Sequence, residues 1–133
     1  MPTRLLVALV AALTLLLTAS ACGGAGGGAA SAPSAKAIEI SETDFALAPA
    51  TVQVGKAGTV TLRAVNNGGT THALEIEGRG VEGKTSEIAP GQSAELTVEL
   101  KPGEYELYCP VGNHRSLGMT GKLVVAGAGY GYG

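Results

Sequence analysis

The chain has 133 residues, 15% of them charged and 4% aromatic, no Trp, and a formal net charge of −2. That length holds one domain, and the absence of any basic cluster excludes nucleic acid as a partner. The acidic residues are spread along the chain as solvated faces rather than gathered into an acidic block.

The N-terminal stretch MPTRLLVALVAALTLLLTASAC places Arg4 before an apolar run from Leu5 to Leu17 and small residues before Cys22. This is the pattern of a secretory signal, and the run is too short for a permanent membrane helix. Ala19-Ser20-Ala21-Cys22 resembles a bacterial lipobox, in which the cysteine is lipidated and becomes the mature N-terminus. Leucine is more usual where Ala19 stands. Residues 1–21 are thus expected to be a lipoprotein signal peptide, with Cys22 lipidated and the chain held to the cell membrane. An ordinary signal-peptidase site, or a Cys22–Cys109 disulfide, is the alternative use of Cys22; such a bridge would close little useful structure. Residues 22–36, rich in Gly, Ala and Ser, bury too little apolar surface to offset their ordering entropy and read as a flexible tether.

From Lys36 the sequence alternates in short runs broken by Gly, Pro and Asn. Ile38 and Ile40 share one face, as do Val52 and Val54, then Val60, Leu62 and Ala64. Leu74 and Ile76 follow, within HALEIE. Next come Ala94, Leu96, Val98 and Leu100, then Tyr105, Leu107 and Cys109, and KLVV closes the set. NNGG at 66–69, APGQ at 89–92 and KPGE at 101–104 are turn signals. No segment keeps a helical period. About seven strands in roughly ninety residues predict an all-β antiparallel sandwich spanning residues 37–126, with 127–133 a flexible tail.

The chemistry gathers in YCPVGNHRSLGMTG, residues 108–121. The chain has two Cys, two His and two Met, and one of each falls in this stretch. Cys109, His114 and Met119 are separated by four residues each. A thiolate, an imidazole and a thioether are soft or borderline ligands that suit copper better than calcium or magnesium. The spacing fits a loop that leaves a strand at Cys109 and re-enters one at Met119. A second imidazole can come only from His72, just after NNGGTT.

NNGGTTHALEI together with GEYELYCPVGNHRSLGMTGKLVV resembles the cupredoxins, the blue copper proteins that include plastocyanin, azurin and rusticyanin. The Cys-x4-His-x4-Met spacing is most similar to the rusticyanin type. The resemblance implies a cupredoxin-like Greek-key sandwich holding one type 1 Cu ion, with His72, Cys109 and His114 equatorial and Met119 a weak axial ligand. It implies electron transport rather than catalysis. The expected protein is a monomeric carrier of single electrons between redox proteins of the membrane or cell envelope. It would lie on the outer face of the plasma membrane or in the periplasm, with no small-molecule substrate and no catalytic residues. The family also suggests an apolar rim of Pro110, Val111 and Leu117 around His114, with Arg115 beside it. Two departures stand out. Ala73 follows the first histidine where many relatives have a polar residue that ties the copper loop, and Asn113 is a candidate replacement for that tie. Pro110 removes a backbone donor beside the sulfur.

Other readings of these residues fare worse. A structural zinc site favours Cys and His without Met. A binuclear copper site needs a second Cys in the loop, and multicopper oxidases need many more histidines. A cysteine protease would need an orienting group and a substrate cleft. The rival of a different class is a copper-delivery protein, but the chain has no Met-rich or His-rich tail.

Overall fold

A computed structural model of the chain describes residues 36–127. The expected signal peptide, Cys22, most of the tether and nearly all of the tail lie outside the described residues. Nine strands form two sheets: β1 Ile38–Thr43, β2 Ala46–Ala48, β3 Thr51–Val54, β4 Gly58–Asn66, β5 Glu75–Gly78, β6 Val81–Lys84, β7 Ser93–Leu100, β8 Gly103–Tyr108 and β9 Thr120–Val125. The first sheet has the order β2-β1-β4-β7 and the second β3-β9-β8-β5-β6. A single 3-10 turn, Arg115–Leu117, is the one helical element among the described residues.

The all-β class and sandwich architecture follow from the alternation. Ile40, Leu62, Ala64 and Leu100 of the first sheet and Val52, Ile76, Leu107, Leu123 and Val125 of the second are buried against one another. Each large side chain so enclosed contributes about 2 kcal/mol of apolar transfer. At the turn after β7, the Tyr105 hydroxyl accepts from the Lys101 N–H and donates to the Lys101 carbonyl, both at 2.9 Å. The turn's orphaned backbone groups are thereby satisfied.

Three expectations need correction. The sheets are mixed rather than antiparallel, because β1 runs parallel to β4 and β3 parallel to β9. Residue alternation records which face is buried but not strand direction. Two further strands join the expected seven. One is β2, only three residues long on a sheet edge. The other is β6, whose Gly83 lets it lie across β7: a Cβ there would meet Val98 at 3.0 Å and Leu96 at 3.3 Å. Finally, HALEIE is only half a strand. His72 makes an isolated bridge to Ile88, and β5 begins at Glu75.

The register also fixes what faces inward at one end of the sandwich. On β1, Ile40 and Glu42 point the same way, and Glu42 pairs with Asn66 of β4 and Leu47 of β2. Both Glu42 and Asn66 are fully buried. This polar end of the interior is where the histidines and the cysteine come together.

Candidate metal centre

Two segments from different parts of the chain meet here. The first is the hairpin loop between β8 and β9. Its ladder pairs Tyr108 with Thr120, and the next rung is a hydrogen bond from the Cys109 N–H to the Met119 carbonyl, 3.0 Å. That rung brings the first and last candidate donors of the loop to the same neck. The Met119 N–H donates back to the His114 carbonyl at 3.2 Å, and the 3-10 turn bonds Leu117 to His114 and Asn113. Gly118 ends the turn at φ 118°, a conformation few other residues adopt. Cys109 and Met119 are fully buried, while His114 is partly exposed.

The second segment, residues 66–72, delivers His72. Asn66 organises it: its side-chain amide donates to the carbonyls of Thr70 (2.8 Å) and Ile88 (2.7 Å), and its side-chain oxygen accepts from the Gly68 N–H (2.9 Å). Asn66 thus folds the segment that carries His72, while Asn113, the candidate tie for the loop, contributes its backbone carbonyl to the loop turn. Two hydrogen bonds to Ile88 (3.1 and 2.7 Å) then hold the His72 backbone.

Asp44 sets the His72 ring. Its Oδ1 lies 2.7 Å from His72 Nε2 and accepts from the Thr70 hydroxyl, while its Oδ2 accepts from the Gly69 N–H. The Gly69 N–H, followed by Thr70 and His72, lowers the Asp44 pKa against a smaller opposing effect of burial. An ionised carboxylate at Nε2 fixes the proton there and leaves the Nδ1 lone pair free to ligate. Gly68 is required by this arrangement. A Cβ at that position would meet Asp44 Oδ1 and would lie 2.7 Å from His72 Nε2.

The result is a triangle of donor atoms. His72 Nδ1 and His114 Nδ1 are 3.2 Å apart, and Cys109 Sγ lies 3.9 Å from the first and 3.6 Å from the second. Three donors sharing a plane with one ion, with bonds of about 2.0 Å to nitrogen and about 2.3 Å to sulfur, would have edges of about 3.5 and 3.7 Å. The two sulfur edges bracket the second value and the nitrogen–nitrogen edge is about 0.3 Å shorter than the first, so these residues fit a single ion of that size. Phe45 closes the site, its ring 4.7 Å from His114 and 6.3 Å from His72, centre to centre.

Burial pushes the Cys109 thiol up, and a nearby Glu42 charge adds to this. The backbone N–H groups of Ala73 and Val111 point at the sulfur and pull the other way. Those donors would stabilise a thiolate. Pro110, lying between them in sequence order, has no N–H to add.

Of the expected rim, Pro110 and Val111 are half-buried and Leu117 is 51% exposed. Arg115 turns away from it, donating to Glu106 at 2.6 Å with its guanidinium 3.9 Å over the Tyr108 ring. Asp44 and Phe45 carry no signal in the sequence, whereas Asn66 heads the Asn-x-Gly-x-x-x-His run on which the family resemblance partly rests.

A family model for the cupredoxin-like domain matches residues 5–125. No curated protein matches the chain in sequence. Among solved structures it is similar to dithionite-reduced auracyanin from the photosynthetic bacterium Roseiflexus castenholzii, with 21% identity and a TM-score of 0.61 over 71% of this chain and 99% of that one. Auracyanin A, a "blue" copper protein from Chloroflexus aurantiacus, matches with 21% identity and a TM-score of 0.57 over 67% and 97%. A multicopper oxidase matches with 14% identity and a TM-score of 0.56 over 71% of this chain but 45% of its own. With the two mixed sheets, the donor triangle and a family match across most of its length, the chain belongs to the cupredoxin-like family.

Proposed function

We propose that this protein is a blue copper electron carrier whose metal would be held by His72, Cys109 and His114, with Met119 as a fourth donor. The observation that carries the reading is the buried triangle of two Nδ1 atoms and one Sγ. Copper bound there would supply a Cu(II)/Cu(I) couple that takes up and gives back one electron. The thiolate and thioether suit the reduced ion and the imidazoles suit both states. Met119 is supported by its full burial and by its backbone bonds to both His114 and Cys109.

The residues around the donors serve a carrier better than an enzyme. Cys109, His72 and Met119 have no exposure, so water is kept from most of the site. With every coordination position taken from protein, the reading leaves no place for a substrate. Asp44 and the β8–β9 neck hold the donors in place, so a change of one unit of charge demands little movement. The half-exposed His114, beside exposed Leu117, offers electrons the shortest way to a partner. Copper delivery is the alternative role, but an ion caged by three fully buried side chains is poorly placed for release.

The test is stoichiometric Cu(II) addition to the purified protein, followed by visible absorption and EPR. An intense thiolate-to-copper band with a narrow hyperfine splitting is expected, and Cys109→Ala should abolish it. Asp44→Ala should keep the band but weaken copper binding by about 10- to 100-fold, the usual effect of losing a ligand's outer partner. A pale spectrum without the thiolate band would overturn the reading.

The proposed setting is extracytoplasmic, with lipid on Cys22 tethering the domain to the membrane through residues 22–36 and redox proteins of the envelope as partners. The lipobox-like Ala19-Ser20-Ala21-Cys22 supports it. Palmitate labelling in the native host should mark the wild type and not Cys22→Ser. Equal labelling of both would exclude this anchor.

A further inference from the structure

Glu42 is a buried carboxyl that the electron-carrier reading leaves without a task. It has no exposed surface, and neither of its carboxyl oxygens has a hydrogen-bond partner among the described residues. The neighbour best placed to pair with it is already committed. Asn66, its register partner on β4, spends both amide hydrogens on the Thr70 and Ile88 carbonyls and its oxygen on the Gly68 N–H. Its other register partner, Leu47 on β2, is apolar.

An unpaired carboxylate in such a place is costly, so the neutral acid is favoured. Burial pushes Glu42 up to about 7. The charged and titratable groups of the surrounding elements do not counter this. Just after β1, Asp44 is turned to His72 and Gly69. On β4, Arg63 lies on the opposite face, 3.9 Å from Glu95 of β7. Across the interior the titratable group that senses the Glu42 charge is Cys109, in company with His72 and His114. Glu42 thus lies electrically close to the metal centre without being one of its donors.

We propose that Glu42 is the proton-exchanging partner of the metal centre, taking up one proton as the centre gains an electron and releasing it as the centre loses one. The inference rests on the copper reading above. The electron comes from the redox partner and the proton from solvent; a carboxyl O–H bond forms on reduction and breaks on oxidation. The coupling is reciprocal. The extra positive charge of the oxidised ion favours ionised Glu42, and ionised Glu42 in turn favours the oxidised ion. Around neutral pH the midpoint potential therefore falls as pH rises, by at most about 59 mV for each tenfold fall in proton activity.

The experiment is a redox titration of the copper-loaded protein across neutral pH, wild type beside Glu42→Gln. A sloping potential in the wild type and a flat one in a still-blue Glu42→Gln is the expected result. A blue wild type with a flat potential, or a slope that survives in Glu42→Gln, overturns the assignment and leaves the copper reading intact. A wild type with no blue band overturns both. The copper-free protein supplies a second readout. The native state holds a proton on Glu42 that the unfolded chain releases near pH 4.5, so the unfolding midpoint should drop as pH rises from about 4.5 through about 7. Glu42→Gln should lose that drop, and its persistence would count against Glu42. If Glu42→Gln does not fold, reduced-minus-oxidised infrared spectra of the wild type decide: a protonated-carboxyl C=O band must appear on reduction, and its absence overturns the proposal.

Discussion

The site depends on one rung of the β8–β9 ladder, the hydrogen bond from the Cys109 N–H to the Met119 carbonyl. Register in a hairpin is all-or-none, because a slip of one residue sends every side chain to the opposite face. With Tyr108 opposite Thr120 and Tyr105 opposite Leu123, the inward set of β8 ends on Cys109 and the inward set of β9 is preceded by Met119. The loop has no freedom left except how it arches. The 3-10 turn and the Met119 N–H bond to the His114 carbonyl fix that arch and aim His114 at the sulfur. The hydrophobic burial that sets the register is therefore also what positions the donors.

The other half of the triangle is built by polar contacts. His72 sits outside any strand, so a network holds it: Asn66 folds the preceding segment, Ile88 bridges the backbone, and Asp44 holds the ring. An apolar frame and a polar cradle thus approach the same point from opposite sheets. The division suits electron exchange, since a frame already closed around the donors has little left to reorganise when charge arrives or leaves.

Much of this was legible in the amino-acid sequence, and the gaps have physical causes. Period-two alternation revealed the inward faces of β1, β4, β8 and β9, and so the sandwich. It could not reveal that β1 pairs in parallel with β4 and β3 with β9, because both directions bury the same residues. β2 was hidden by its length, and β6 by a glycine that sequence reading takes for a breaker but that the crossing over Leu96 and Val98 requires. Cys109, His114 and Met119 were conspicuous because rare residues shared one loop. Asp44 was invisible because its partners, Gly69 to His72, are distant in sequence and joined only by the fold. Glu42 could have been noticed. Ile38, Ile40 and Glu42 occupy alternate positions, so the same alternation that turns two isoleucines toward the core carries a carboxyl inward with them.

Electron exchange here requires that His72, Cys109 and His114 hold one copper ion in a cage that keeps its form when the ion changes charge. X-ray absorption at the copper edge, on oxidised and reduced samples of the loaded protein, tests this most directly. It should show two nitrogens at about 2.0 Å and one short sulfur bond near the 2.3 Å of metal thiolates in both states, with no change in coordination number. A site lacking the sulfur bond, or one that exchanges a protein donor for water on oxidation, would contradict it.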